Sequence, residues 1–214
     1  MLHRFDRAER ALHWANAVLF GVLMATALAL YWGPVSALVG RRPLVRQVHV
    51  VAGLLLPLPW LVARLGPWSA ALRADTRRLG RFDAEDRRWA RSLGRDLSVR
   101  FGKFHPLQKL NAAFTAGAVV VMLGTGSVMH WFHYFPLRWR TGATFVHDWL
   151  ALGLFVVVAV HVGKALSDGE ALGGMWRGTV EQAWAGRHHP RWADELSGTS
   201  PAMGSSPVDG APKT

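Results

Sequence analysis

Cysteine is absent from the 214 residues of the chain. Without a thiol the chain can form no disulfide, hold no iron–sulfur cluster, build no zinc–thiolate site and attach no c-type haem covalently. Any cysteine-held redox centre that serves it must sit on a partner. Acidic residues are also scarce, 14 Asp and Glu against 25 Lys and Arg, for a formal net charge of +11. Such a surplus is one mark of nucleic-acid binding, but basic loops retained on the cytoplasmic side of a membrane produce it too. Apolar residues are abundant: half of the chain is hydrophobic, and 11 residues are Trp, many for a soluble domain of this length.

Four stretches are apolar and long enough to cross a bilayer, for which about 20 residues suffice. They run over about 12–32, 45–65, 110–129 and 143–166, and they predict an all-α membrane protein built as a four-transmembrane-helix bundle. Pro57 and Pro59 fall inside the second, where neighbouring helices must satisfy the freed backbone groups. The positions of Lys and Arg decide the orientation. Three precede the first span, eleven lie in the loop 66–109, and five lie from Lys164 onward. Only Arg41, Arg42, Arg46, Arg138 and Arg140 fall on the other side, with Arg64 at a helix end. The bias places both termini and the loop 66–109 in the cytoplasm, so topology accounts for the basic surplus and nucleic acid is not needed.

The first span is read as retained rather than as a cleaved signal. Asp6 and Glu9 interrupt its leading region, and its apolar run exceeds the roughly 7–15 residues of a signal core. The loop 66–109 alternates small apolar residues with Arg, which suits either a helix lying on the anionic inner leaflet or a solvated charged hairpin. Gly80 divides it into two short helices. Residues 1–196 form one domain, and the Ser-, Gly- and Pro-rich stretch 197–214 is expected to be disordered.

The fourth span carries His147 and His161, fourteen positions apart. Ionisable groups are expensive inside a membrane and mark function there. Fourteen residues rise about 21 Å and return to within about 40° of the same helix face, so two sites stack across the bilayer. His13, just inside the first span, matches the inner level of His161. His49, a few residues into the second, matches the outer level of His147. Zinc would want further N, S or O ligands at each level, and the sequence offers none; Asp148 adjoins His147 but points elsewhere on the helix. A b-type haem needs only two axial imidazoles and is itself apolar, so two bis-histidine haems fit best. Gly21, Gly53 and Gly153 add weak support, as places where a flat macrocycle can approach the backbone. His3, His188 and His189 fall in surface regions, and His130 and His133 in an outer aromatic belt.

The segments RFDRAERALHW (4–14), QVHVVAG (47–53), GKFHPLQKLN (102–111), HDWLALGLFVVVAVH (147–161) and GGMWRGTVEQAWAGRHHPRWADEL (173–196) resemble the gamma subunit of membrane-bound formate dehydrogenases. That subunit is a four-helix di-haem cytochrome b, related to the hydrogenase cytochromes b. The resemblance implies that His13 and His161 hold the cytoplasmic-side haem and that His49 and His147 hold the outer one. It also implies an iron–sulfur partner on the outer side, a molybdenum- or tungsten-containing catalytic subunit beyond it, and electron flow from formate through both haems to quinone in a bacterial inner membrane. The chain would then be an electron-transfer subunit, not the one that oxidises formate. The quinone site implied lies near the start of the third span. There Gln108 and Lys109 match the family, whereas His105 and Leu107 stand where Asn and Gly are expected; His105 can still donate a proton. Gln108 and Lys109 serve equally well as interfacial anchors, as do Arg10 and Arg46, which otherwise would pair with haem propionates. Two further readings use the same residues. One is a hydrogenase-type or free-standing cytochrome b, and the other is a haem-free anchor or transporter whose histidines pack or relay protons.

Overall fold

The computed structural model describes residues 1–66 and 70–198. The first helix, α1, runs Arg7–Tyr31 and is started by a reciprocal cap. The Asp6 carboxylate accepts from the Glu9 N–H at 2.7 Å, and the Glu9 carboxylate accepts from the Asp6 N–H at 2.8 Å. A short α2 (Gly33–Val39) ends on Gly40 at φ 65°, and α3 (Arg42–Leu55) follows with a proline in its first turn. The second span is broken rather than straight, because Pro57 and Pro59 carry no N–H for the ladder. A turn at Leu56 and Pro57 separates α3 from α4 (Leu58–Leu65).

Helices α5 (Ala70–Leu79) and α6 (Ala84–Arg91) occupy the expected loop, on either side of Gly80. Then come α7 (Pro106–His130), a 3-10 turn at Phe132–Tyr134 and α8 (Leu137–Leu166). The chain closes with α9 (Gly169–Arg177), α10 (Gln182–His188) and α11 (Pro190–Ser197). Of the stretch 197–214, the structure describes only Ser197 and Gly198; the rest of the expected tail lies outside the described residues.

Four helical segments are long and apolar enough to span a membrane, and their apolar windows are only 6–11% buried, as expected of lipid-facing helices. Each begins before its apolar run does. Caps and prolines set the helix starts, at Asp6, Pro43, His105 and Pro136. The 30 residues of α8 extend about 45 Å, beyond a hydrocarbon core of about 30 Å. Helix α1 packs along α3 and α7 along α8, while the two pairs touch lightly through α3 and α7.

The termini of this bundle are gathered under a small polar cap that hydropathy does not announce. Leu2–His3 forms a strand, β1, antiparallel to β2 (Thr179–Val180), in the register Leu2↔Val180 and His3↔Thr179. At Gly178 the carbonyl accepts from both Arg4 N–H and Phe5 N–H, at 2.8 and 3.1 Å. Its φ is +87°, and a Cβ there would fall 2.6 Å from the Phe5 carbonyl oxygen, so only glycine allows this approach. Val180, Trp184, Ala185 and Trp192 make the apolar core of the cap.

The segment 70–105 is largely exposed, with a few charged side chains turned inward. Asp75 and Asp86 are buried and paired with Lys103 and Lys109, at the entrance to α7. Arg191 and Arg100 tie α11 to the same region through Asp83 at 2.5 Å and Asp194 at 2.6 Å. Most of the arginines lie on the surface that their periodicity suggested, while two of the carboxylates interleaved with them turn inward onto lysines.

His189 also departs from the sequence reading. His3 and His188 are exposed as expected, whereas His189 is only 4% exposed. Its Nδ1 lies 2.7 Å from the Gly102 carbonyl, which can only accept, so Nδ1 carries the proton. Its Nε2 then accepts from the Arg4 guanidinium at 3.1 Å. Arg4 is buried over the Trp184 ring at 4.6 Å, and burial brings its pKa down to about 10. Burial, and next the Arg4 charge, lower the His189 pKa to about 4.

Between an ordinary value of 6.5 and about 4, the unfolded chain binds a proton that the folded chain refuses. Stability is therefore intact above the upper value and falls as pH drops through this window, by up to about 3 kcal/mol. Thermal unfolding in detergent across this range checks it. The His189→Gln variant, which keeps one donor and one acceptor, is expected to lose that share of the slope; an unchanged slope would refute the assignment.

Candidate functional site: two histidine pairs between helix hairpins

The two histidines of α8 meet partners from two other helices. The His161 ring lies 6.1 Å from that of His13 on α1, centre to centre, at an interplanar angle of 53°. The His147 ring lies 6.4 Å from that of His49 on α3, at 64°. Along one continuous helix the two levels are separated by about 21 Å of rise. Leu154, seven residues from each histidine and so on the same stripe, is buried and forms an apolar spacer between them. Both pairs bridge the lightly packed seam between the α1/α3 and α7/α8 hairpins.

A ring nitrogen stands roughly 1.1 Å from the imidazole centre and about 2 Å from a metal it ligates, so two axial imidazoles place their centres about 6 Å apart. The observed separations suit one metal between each pair. Among the described residues no cluster of three or more His, Cys, Asp or Glu side chains converges on a common point. A site of two imidazoles with nothing beside them fits a metal whose remaining ligands come with it, as in haem.

Hydroxyls that sequence reasoning overlooked fix the outer pair. His49 Nδ1 lies 2.8 Å from Thr26 Oγ1, and His147 Nδ1 lies 3.0 Å from Thr125 Oγ1. Each threonine donates its own proton to a carbonyl four residues back, Thr26 to Val22 at 2.7 Å and Thr125 to Val121 at 2.8 Å. With that proton committed, each hydroxyl accepts from imidazole Nδ1–H, and the Nε2 lone pair faces the seam. Gly126 completes the seat: a Cβ there would come within 3.3 Å of His147 Cε1. Gly21, Gly53 and Gly153 make no approach closer than 3.8 Å. Among the described residues, His13 and His161 have no hydrogen-bond partner, so the inner level lacks this restraint.

His105, Gln108 and Lys109 do come together at the start of α7, in roles the sequence did not reveal. His105 Nδ1 accepts from the Leu107 N–H at 3.2 Å, and Gln108 Oε1 accepts from the His105 N–H at 2.8 Å. The pair is a helix cap, signalled in the sequence by a glutamine three residues after a polar residue and a proline. Burial lowers the His105 pKa, so the ring is neutral with its proton on Nε2. The Lys109 ammonium is taken up by Asp86 and by the Arg81 carbonyl at 3.1 Å, inside the protein rather than at an interface. Arg10 donates to the Trp176 carbonyl, Arg46 is exposed, and Asp148 turns to Tyr31 OH at 3.5 Å. His130 closes α7 and His133 lies in the 3-10 turn.

The protein-family model described as prokaryotic cytochrome b561 matches residues 4–178. A formate dehydrogenase cytochrome b556 subunit of Haemophilus influenzae is 26% identical over 204 residues, covering 90% of this chain and 82% of that protein. The formate dehydrogenase cytochrome b556(fdo) subunit of Escherichia coli K12 is 26% identical over 210 residues, 92% of this chain and 94% of its own. The nitrate-inducible cytochrome b556(Fdn) subunit of the same organism is 28% identical over 98 residues, 44% of this chain and 45% of its own. With four membrane-spanning helices and a family match across most of its length, this chain belongs to the prokaryotic cytochrome b561 family of b-type haem membrane proteins.

Proposed function

We propose that the chain is the di-haem membrane subunit of a formate dehydrogenase, holding one b-type haem between His13 and His161 and a second between His49 and His147. The observation that carries this reading is the pair of ring separations, 6.1 and 6.4 Å, at two levels of one helix. Bound there, the haems would supply one-electron carriers on either side of the apolar layer. The chain's own part is to hold each iron by two neutral imidazoles, to fix the outer ligands through Thr26 and Thr125, and to keep the space between the levels dry with Leu154.

The basic residues orient the chain with its termini and polar cap in the cytoplasm of a bacterial inner membrane. The His49–His147 level then faces an outer iron–sulfur subunit, beyond which a molybdenum- or tungsten-containing subunit oxidises formate. Quinone accepts electrons at the cytoplasmic level, beside the start of α7. Of the three residues assigned there, Gln108 and Lys109 spend their polar atoms on the helix cap and on Asp86. His105 keeps a free Nε2–H and is the donor best placed for a quinone oxygen. A hydrogenase-type or free-standing cytochrome b shares the same chemistry. The relatives found over 90–92% of the chain bear formate dehydrogenase names, which favours that donor.

Metal analysis of the purified complex separates these donors: molybdenum or tungsten supports the formate reading, and nickel rejects it. In dithionite-reduced spectra, alanine at His49 or at His147 is expected to remove one b-type signal and leave the other. Loss of neither signal would reject the pairing. Replacing Thr125 by valine preserves shape but strips His147 of its acceptor. Haem retention at the outer level is expected to weaken about 10- to 100-fold, read as haem per protein after detergent washing, with the inner level unaffected.

A further inference from the structure

A second group of buried polar side chains lies near the inner histidine pair and plays no part in it. Glu9, in the first turn of α1, is 8% exposed. Its Oε2 accepts from the Asp6 N–H at 2.8 Å, while its Oε1 is buried and meets no donor. The carboxyl of Asp75 on α5 is the side-chain hydrogen-bonding neighbour of this carboxyl. Asp75 is 4% exposed, bound by the Lys103 ammonium and approached by Arg78 Nη1 at 3.4 Å. Neither carboxylate can donate to the other unless one of them carries a proton. A shared proton gives Oε1 its missing partner and removes the repulsion between two buried like charges.

The charges around the pair set how many protons it takes. Asp6 caps the same helix, Lys103 approaches from the strand of chain before α7, and Arg78 stands at the rim with its side chain 48% exposed. Lys103 and the buried Arg4 both act on Asp75, whereas no donor reaches Glu9 Oε1, which leaves that single oxygen as the place for one proton. Glu9 precedes His13 by four residues, so both lie on one face of α1 about 6 Å apart along its axis. Arg78, Asp75 and Glu9 thus form a polar file from water to within a helical turn of the His13–His161 level.

We propose that Glu9 and Asp75 are the proton-intake pair for quinone reduction at the inner level, an inference that rests on the quinone-reducing function proposed above. Quinone becomes quinol by taking two electrons and two protons. The electrons arrive one at a time by way of the His13–His161 level. For each proton, the carboxyl O–H of the pair releases to intervening water and so to a quinone oxygen, leaving both groups ionised. Cytoplasmic water entering at the rim, where Arg78 stands, returns the proton and the pair is restored.

Glu9→Gln tests this, because the amide oxygen still accepts from Asp6 N–H while the exchangeable carboxyl proton is lost. Haem content and reduction by dithionite should match the unsubstituted protein. Reoxidation of the reduced protein by a short-chain naphthoquinone or benzoquinone is expected to slow tenfold or more, within the ~10²–10⁴-fold range of general acid catalysis. A carboxylic C=O band that shifts in D₂O should appear in redox-difference infrared spectra of the unsubstituted protein and vanish in the variant. Unchanged reoxidation, or a band that survives, overturns the proposal and leaves Glu9 as a helix cap only. Should Glu9→Gln fail to assemble haem, Asp75→Asn carries the same two readouts. If the unsubstituted protein is not reoxidised by either quinone, the quinone-reducing function itself fails, whereas the infrared band still reports whether the pair shares a proton.

Discussion

An imidazole placed in a hydrocarbon layer has two polar nitrogens and almost no water to satisfy them. Everything distinctive in the membrane part of this chain answers that constraint. Each histidine of α8 is matched by one from another helix at its own depth, so four potentially costly groups are gathered at two points. Between those points the chain stays apolar, with Leu154 buried on the stripe that joins them. The outer level goes further and gives each Nδ1 a threonine hydroxyl already committed to its own helix. That arrangement leaves one lone pair per ring pointing into the seam, which is what an axial ligand must offer.

The seam itself is the complement of this chemistry. Helices pack well within each hairpin and lightly between hairpins, so the bundle does not collapse onto the histidines. The cap at the termini does the opposite. It buries charge, pairing Asp75 with Lys103 and Asp86 with Lys109, while Arg4 gives one nitrogen to the neutral His189. Breaking one partner of such a buried pair costs about 3–5 kcal/mol, which makes the cap a rigid base for the starts of α1 and α7. The membrane layer is loose along the seam of the histidine pairs, and the polar layer is tight where the helices are anchored.

How much of this could be read from the sequence follows from the range of the interactions. Spans and histidine pairing were legible because hydropathy and helical periodicity are local, and because a fixed rise per residue converts position into depth. Thr26 and Thr125 were not, since a membrane threonine commonly bonds its own helix; only the neighbouring helix reveals that the same oxygen also meets an imidazole. The break at Leu56 and Pro57 was visible as prolines but not as two separate helices. The cap was hidden most completely. β1 is two residues long, its partner lies at the far end of the chain, and His189 reads as a surface residue until Arg4 and Gly102 are folded against it. Lys109 looked like an interfacial anchor because its counter-ion, Asp86, belongs to a different helix.

One histidine of each pair is borne by α8, a single unbroken rod, while their partners come from α1 and α3, which are separate. Turning that rod about its axis would swing both of its rings in the same sense, and sliding it would raise or lower them together. The two levels are therefore geared: strain imposed at one face of the membrane reaches the other through a lever of fixed length. A shift of α8 at one end would thus move the His147 and His161 rings together without any change in the residues lying between.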